Sequence, residues 1–450
     1  MNFEYLILAL FPCSILIASV IFLYRFHVSR DNAFPADSIG LWWLVFLNLY
    51  STLPSILWWV KSGDYNPVFS QRLYRLQPSA GDVFDLLSIA AAYAFSFAST
   101  YWLLVRNSNA MNKFTPPRIS NGKLLASAII VLIVSSYGLY QNVSLSGAYY
   151  GDNFRQTAAL SLSSRQLLKL VAGVGSVCSI VLLIGLLQRW PRYQMFVYVY
   201  VLALIVSFSP AGSRGEMFGG VFTLFILWHV LKRPLSTKFW IGGGAIGLLL
   251  FLLFGILRGL IGQDYNYLDM FGRGLGEFDQ LWANAVEVYQ SKREGFVNVS
   301  LSARFGELWA FVPSQLLPIE KQAISDWFLD EYYPAYKALG GGWAFGAIAQ
   351  AAVGNGIFEA LIRGTLLGLI FGYAFKFYRS NTNHWWVFPS YIYLVAFSFN
   401  SIRNSSFWFL TGIVQILIPA LIVLAIGGAL LNVNRAQIRK MRTGTLPSHS

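Results

Sequence analysis

The sequence predicts an all-α polytopic membrane protein, with about 11 transmembrane helices and one large helical loop outside the membrane. Hydrophobic residues make up 56% of the 450 residues and charged residues only 12%, whereas a soluble domain contains about a quarter charged residues. The apolar residues are also gathered into runs long enough to cross a hydrocarbon core of about 30 Å. Lipid is therefore the expected solvent of this chain.

The apolar runs follow one another along the chain and are separated mostly by short connections. The first run has no basic region before it and no cleavage-site pattern after it, so we expect a retained span and not a signal peptide. Both cysteines fall inside runs, which favours neither a disulfide nor a thiolate metal site. The predicted spans are Tyr5–Tyr24, Leu41–Val60, Phe84–Val105, Leu124–Tyr140, Leu167–Leu187, Met195–Ser209, Met217–Leu231, Phe239–Leu257, Ile357–Tyr378, Trp385–Phe399 and Phe407–Leu431.

Basic residues in the short connections predict the orientation of the spans. The stretches RNSNAMNKFTPPRISNGK (residues 106–123), QRWPR, LKRPLSTK and RAQIRKMR contain lysine and arginine but no acid, and all fall on one side. That side is expected to be the cytoplasm, with the N-terminus outside and the C-terminus inside. This bias accounts for much of the net charge of +13, so nucleic acid is not an expected partner.

The topology divides the chain into four regions. Apolar residues recur at helical spacing in EFDQLWANAVEVY (residues 277–289), which predicts a helical outer loop packed on the membrane. The glycine-rich stretch GGGWAFGAIAQAAVGNG (residues 340–356) is too short for a full span and predicts an interfacial or half-inserted helix. The regions are an N-terminal bundle of about eight spans (1–258), a large outer loop (259–356), three C-terminal spans (357–431) and a basic cytoplasmic tail (432–450).

Arginines at the outer ends of several spans predict a phosphate site, because a guanidinium group can bind phosphate through two parallel hydrogen bonds. Arg214 lies in the turn SFSPAGSRGE (residues 207–216), and Arg258 and Arg403 lie at the ends of other spans. Arg363 lies about two turns inside the ninth span, where an ionised group needs a cavity or a partner. Glu359, four residues earlier, could be that partner. The other arginines could equally snorkel or pair with outer acids.

Three motifs resemble the oligosaccharide repeat-unit polymerases of bacteria (Wzy, O-antigen or common-antigen polymerase type). They are AGSRGE, ARFGELWAFVPSQLLP in the large outer loop, and GGWAFGAIAQAAVGNGIFEALIRGTLLGLIFGY after it. The resemblance implies a GT-C-type glycosyltransferase of the cytoplasmic (inner) membrane that takes undecaprenyl-diphosphate-linked oligosaccharide as both donor and acceptor. It also implies a chain-length-regulating co-polymerase as a partner. The arginines that it assigns to the diphosphate are Arg214, Arg258, Arg273, Arg363 and Arg403, and Arg304 is a further outer candidate.

Glycosyl transfer to a sugar hydroxyl requires a general base within hydrogen-bond reach of that hydroxyl. Glu307 and Asp279 are the best candidates in the outer loop, and either could instead be a solvated residue or an ion-pair partner of Arg304. No metal or other cofactor is expected, because the four histidines lie near the predicted inner side without ligand spacing. They are His27, His229, His384 and His449.

Two other functions share the predicted architecture. An O-antigen ligase usually has a histidine in its large outer loop, and residues 259–340 contain none. A flippase or transporter of lipid-linked oligosaccharide commonly shows internal repeats and broken helices, neither of which is visible here. A purely structural scaffold would leave Arg363 unexplained. The sequence therefore favours a polymerase, with ligase and flippase as alternatives.

Overall fold

The computed structural model is mostly helical over the residues that it describes and contains no strand in those ranges. A helix satisfies its own backbone hydrogen bonds, which is required of a segment that crosses a membrane. The described residues are 3–31, 34–61, 76–106, 117–145, 162–189, 214–260, 267–309, 312, 316, 322–338, 344–381 and 383–442.

Seventeen α-helices lie within these ranges, joined at two places by other helical turns. A 3-10 turn, Gly306–Trp309, follows α9, and a π-helical turn, Ile413–Leu417, joins α16 to α17. The helices are α1 Phe3–Asp31, α2 Ile39–Lys61, α3 Ala80–Arg106, α4 Asn121–Leu145, α5 Leu162–Arg189, α6 Arg214–Leu231, α7 Thr237–Leu260, α8 Tyr267–Arg293, α9 Leu301–Arg304, α10 Ile324–Tyr332, α11 Pro334–Ala338, α12 Ala347–Val353, α13 Ile357–Ser380, α14 Val387–Phe397, α15 Asn400–Arg403, α16 Ser406–Gly412 and α17 Ile418–Arg442.

The apolar runs of the sequence coincide with helices, and the helices have the character of membrane spans. Ile7–Arg30, Ala80–Arg106, Ile357–Ser380 and Ser406–Asn432 are each long and apolar enough to cross a bilayer. Shorter apolar helices account for further runs, and the predicted span Met195–Ser209 lies outside the described residues. Large apolar side chains on these helices are exposed, including Phe11, Leu132 and Ile241. We conclude that the protein resides in a lipid bilayer.

Helices α3 and α13 pack closely together, and glycines make that closeness possible. Gly364, Gly368 and Gly372 recur at every fourth position of α13 and face α3. A Cβ atom on Gly364 would lie 2.5 Å from the carbonyl oxygen of Tyr93, and one on Gly372 would meet Leu104. Residue numbers rise together along both helices, so α3 and α13 are parallel. Small residues at such spacing let two helix backbones approach closely in a membrane.

One end of the bundle is held by polar contacts between helix ends. Arg30, near the end of α1, donates to the carbonyl oxygen of Val105 at 2.9 Å. Arg379, near the end of α13, pairs with Asp37 at 2.9 Å, and the hydroxyl of Tyr378 donates to the same carboxylate at 3.2 Å. Helices α1, α3 and α13 therefore end together, and α2 begins beside them.

The opposite end is where α8 docks on the beginning of α3. Asp82 accepts a 3.0 Å hydrogen bond from the backbone N–H of Ser79, whose hydroxyl accepts in return from the N–H of Asp82. This reciprocal arrangement caps α3. Arg293 then pairs with Asp82 at 2.7 Å, and Tyr289 donates to Asp85. The helical prediction for residues 277–289 is confirmed, since they lie within α8.

Candidate functional site

A cluster of two arginines and two glutamates lies at the α8 end of the bundle. Arg363 donates through Nε to Glu359 at 2.8 Å and through Nη1 to Glu307 at 2.6 Å. Its remaining nitrogen, Nη2, donates to the carbonyl oxygen of Arg304 at 2.7 Å. The side chain of Arg363 is only 8% exposed. All three of its nitrogens are therefore committed to protein groups, which is how a buried guanidinium is stabilised.

Glu359 connects the second arginine to the cluster. Arg304 donates to its Oε2 through Nη2 at 2.6 Å and through Nε at 3.0 Å, and the backbone N–H of Asn355 donates to the same oxygen. The connection before α13 leaves no room for a side chain, because a Cβ atom on Gly354 would lie 1.7 Å from that oxygen. Gly356 has a φ of +60°, which favours glycine. The motif GNG thus places α13 so that Glu359 can receive both arginines.

Glu307 is oriented by two donors that bind the same one of its carboxylate oxygens. Its Oε1 accepts hydrogen bonds from Arg363 and from the amide of Gln350. Its Oε2 accepts none from the described part of the chain. Gln350 is buried in α12, and the sequence analysis did not identify it. The signal was present, since Gln350 is the one polar residue in the apolar stretch AIAQAAV.

Arg304 is the more accessible of the two arginines. Its side chain is 21% exposed, and its Nη1 has no hydrogen-bond partner among the described residues. Its guanidinium carbon lies 5.2 Å from the ring centre of Phe305, and that of Arg363 lies 5.9 Å from the same centre. Glu359 and Phe305 thus hold Arg304 in one orientation with an edge available to a ligand.

Lys292 adds a third positive charge at the edge of the cluster. Its Nζ lies 3.5 Å from the carbonyl oxygen of Ala352, a long contact. Desolvation, followed by repulsion from Arg304, lowers the pKa of Lys292 despite the attraction of Glu359. Three cations and two carboxylates leave one positive charge uncompensated, so the cluster is suited to an anion.

Two predicted site residues lie in other surroundings. Asp279 is buried in α8, with its side chain inside the bundle. Arg403 ends α15 and donates to Asn404 at 3.2 Å. The neighbouring Ser401 accepts a 2.9 Å hydrogen bond from Trp43, whose ring stacks on Phe97 beside the middle of α13. The turn that carries Arg403 therefore lies against α2.

The remaining predicted arginines lie on three helices. Arg214 is the first residue of α6, while Arg258 and Arg273 belong to α7 and α8. Their side chains lie outside what the structure describes, as do residues 207–213 of the turn before Arg214. Within the described ranges, no three histidine, cysteine or acidic residues are grouped as they would be around a metal ion.

Comparison with known proteins adds no assignment: the chain matches no family model, no curated protein and no solved structure.

Proposed function

We propose that the protein is a membrane glycosyltransferase that polymerises undecaprenyl-diphosphate-linked oligosaccharide repeat units. The observation that supports this proposal best is the cluster of Arg304, Glu307, Glu359 and Arg363. It combines a partly exposed guanidinium with a carboxylate whose second oxygen accepts no hydrogen bond from the described residues, at one end of a membrane bundle. A lipid-linked diphosphate presents its phosphates at that level, with its chain in the bilayer. The resemblance in motifs around the cluster points to the same chemistry.

Each member of the cluster takes a role set by its contacts. Arg304 would bind the diphosphate as the bond between it and the sugar C1 breaks and the leaving oxygen takes the electron pair. Glu307 would accept the proton of the acceptor hydroxyl, whose oxygen forms the new bond to C1. Arg363 would position Glu307 and Glu359 and would not itself contact the ligand, because its nitrogens are engaged. Arg214, Arg258, Arg273 and Arg403 stay further candidates for the diphosphate, and Asp279 a second candidate for the base.

The proposal includes a location and a topology. We place the protein in the bacterial cytoplasmic membrane with about 11 spans and a GT-C-type architecture, with its N-terminus periplasmic and its C-terminus cytoplasmic. The parallel packing of α1, α3 and α13 is compatible with this arrangement, in which all three helices run from outside to inside. The reaction needs no metal in this scheme, and a chain-length-regulating co-polymerase is an expected partner.

Deletion of the gene in its source bacterium tests the function and separates it from the alternatives. Loss of a polymerase leaves single repeat units on the carrier or final acceptor, loss of a flippase leaves none outside, and loss of a ligase leaves polymer on the lipid carrier. Gel analysis of surface glycans and of extracted lipid carrier distinguishes the three. Purified protein should also extend lipid-linked repeat units in the presence of EDTA. A metal requirement would remove the arginine-based mechanism.

The Arg304→Ala variant tests the role of the cluster in that reaction. Loss of a charged contact to the leaving group is expected to lower the rate by about a hundredfold or more. The surface glycan should then consist mainly of single repeat units at normal protein level. Lys337→Ala is the matched control, since Lys337 is exposed and its ion-pair partner among the described residues is the exposed Asp330. A full-length ladder from well-expressed Arg304→Ala would contradict the assignment of this residue.

A further inference from the structure

The segment between α8 and α10 exposes large apolar side chains beside the charged cluster. Within residues 296–309, here called the apolar segment, Phe296 is 75% exposed, Leu301 71% and Leu308 66%. The cations Lys292 and Arg293 end α8, and only Glu294 and Gly295 separate them from the apolar segment. A strip of exposed apolar residues next to basic residues is the pattern of a chain segment that lies in the membrane interface.

The contacts of the apolar segment define its depth along the membrane-spanning helices. Its Arg304 and Glu307 bind Glu359 and Arg363, which lie in the first two turns of the membrane-spanning α13. At that level Phe358 of α13 is itself exposed, as expected of a side chain that faces lipid. The apolar segment therefore lies beside a lipid-facing part of α13 and not beyond its end.

Distances along α3 give an independent measure of the same depth. Gly364 of α13 lies against Tyr93, which is about 20 Å along α3 from Ala80. Glu359 is about 8 Å nearer to the beginning of α13 than Gly364. The cluster, and the apolar segment bound to it, thus lie about 12 Å along α3 from its first residue, Ala80.

Around α9, several backbone groups of the apolar segment are paired within the protein, which lowers the cost of placing them next to lipid. The hydroxyl of Ser300 accepts from the N–H of Ala303, which caps α9. The N–H groups of Arg304 and Phe305 donate to carbonyl oxygens one turn earlier, both at 3.0 Å. At the other end of α9 the carbonyl oxygen of Arg304 accepts from Arg363. A guanidinium thus closes the helix terminus, which would otherwise leave unpaired carbonyl groups.

We propose that the apolar segment is inserted into the bilayer interface, with Leu301 and Leu308 in contact with lipid acyl chains. Lys292 and Arg293 would lie at the level of the lipid headgroups, where Arg293, although paired with Asp82, is more than half exposed. The occupant of this surface is the lipid of the bilayer itself. The charged cluster is then bordered by lipid on one side, so that an amphiphile could reach it laterally from the membrane. The proposal does not depend on the glycosyltransferase reaction.

Site-directed spin labelling in liposomes tests the insertion directly. Leu301→Cys and Leu308→Cys are each introduced into a background with Cys13 and Cys178 replaced by alanine, and nitroxide-labelled. Collision rates with oxygen, which concentrates in lipid, are compared with those of a water-soluble nickel complex. Leu366→Cys, at an exposed position in the middle of α13, is the lipid reference, and Glu331→Cys, at an exposed position in α10, is the water reference.

We expect the oxygen-to-nickel ratio at Leu301 and Leu308 to approach that of Leu366 and to exceed that of Glu331 several-fold. A ratio like that of Glu331 would show that the apolar segment faces water. Low collision rates with both reagents would show that protein, from the same chain or from a second copy, covers the surface. Either result overturns the proposal. Phe296→Cys provides a third position if one of the first two variants does not fold.

Discussion

At the scale of single residues, Arg363 explains how a charge can be kept inside this bundle. Its guanidinium meets two carboxylates and one helix-terminal carbonyl, so it joins α9, the turn after it and α13. Removing one partner of a buried ion pair commonly costs about 3–5 kcal/mol, because the other charge is left uncompensated. The cluster is therefore a structural requirement for the apolar segment as well as a candidate site.

A double-mutant cycle on Arg363→Gln and Glu307→Gln measures this pairing. We expect a coupling free energy of about 1–3 kcal/mol, because the two side chains are buried and 2.6 Å apart. The measurement is the free energy of unfolding in mixed detergent micelles, followed by circular dichroism. The same cycle on the exposed pair Lys337–Asp330 should give only about 0.2–1 kcal/mol. Equal coupling free energies in the two cycles would show that burial does not strengthen the pair of Arg363 and Glu307.

The partners within the cluster were only partly predictable. Glu359 and Arg363 are four residues apart on one helix, so the sequence indicated their contact. It also suggested that Glu307 could pair with Arg304, three residues before it. The structure instead pairs Glu307 with Arg363 and Arg304 with Glu359, across more than fifty positions of the chain. Such exchanges depend on how α9 lies against α13, which local spacing does not encode.

At the scale of elements, the glycine face of α13 determines how close the cluster comes to α3. The obstacle at Gly364 is the backbone carbonyl of Tyr93 together with the hydroxyl of Ser96, which lies 2.1 Å from the position of a Cβ atom. A backbone atom cannot rotate away as a side chain can. Any side chain at this position must therefore push the two helices apart.

The Gly364→Ala variant should lower the free energy of unfolding by about 1–3 kcal/mol through this overpacking. Thermal unfolding of the purified protein in detergent is the measurement. Gly244→Ala is the matched control: this glycine of α7 has nothing within 4 Å of a Cβ atom. Alanine there should be neutral or stabilising by up to about 1 kcal/mol, because it favours the helix. A neutral Gly364→Ala would refute the close packing of α3 and α13.

The long helices were the most predictable elements, because a long apolar run in a membrane must satisfy its own backbone hydrogen bonds, and a helix does so. The short helices could not be predicted in this way. Residues 301–309 have no sustained periodicity, and their conformation depends on the cap from Ser300 and on the contact with Arg363. The run Trp385–Phe399 was predicted as a full span, whereas α14 covers only Val387–Phe397 and α15 follows it inside the bundle. Contacts with neighbouring helices determine such interruptions.

At the scale of the whole molecule, the two ends of the bundle differ in chemistry. The charged cluster, the docking of α8 on Asp82 and the apolar segment lie at one end. The pair Arg379–Asp37 and the connection between α6 and α7 lie at the other, since Thr237 contacts Tyr24 near the end of α1. Lysine and arginine in the short connections of this second end predict that it faces the cytoplasm.

Cysteine labelling in intact cells tests this orientation, on which the proposed reaction depends. Glu331→Cys in α10 and Ser236→Cys before α7 are both at exposed positions, in a background without Cys13 and Cys178. After the outer membrane has been permeabilised, a membrane-impermeant maleimide should react with Glu331→Cys in intact spheroplasts. It should react with Ser236→Cys only after lysis. The reverse pattern would put the cluster in the cytoplasm, where a periplasmic polymerase could not use it.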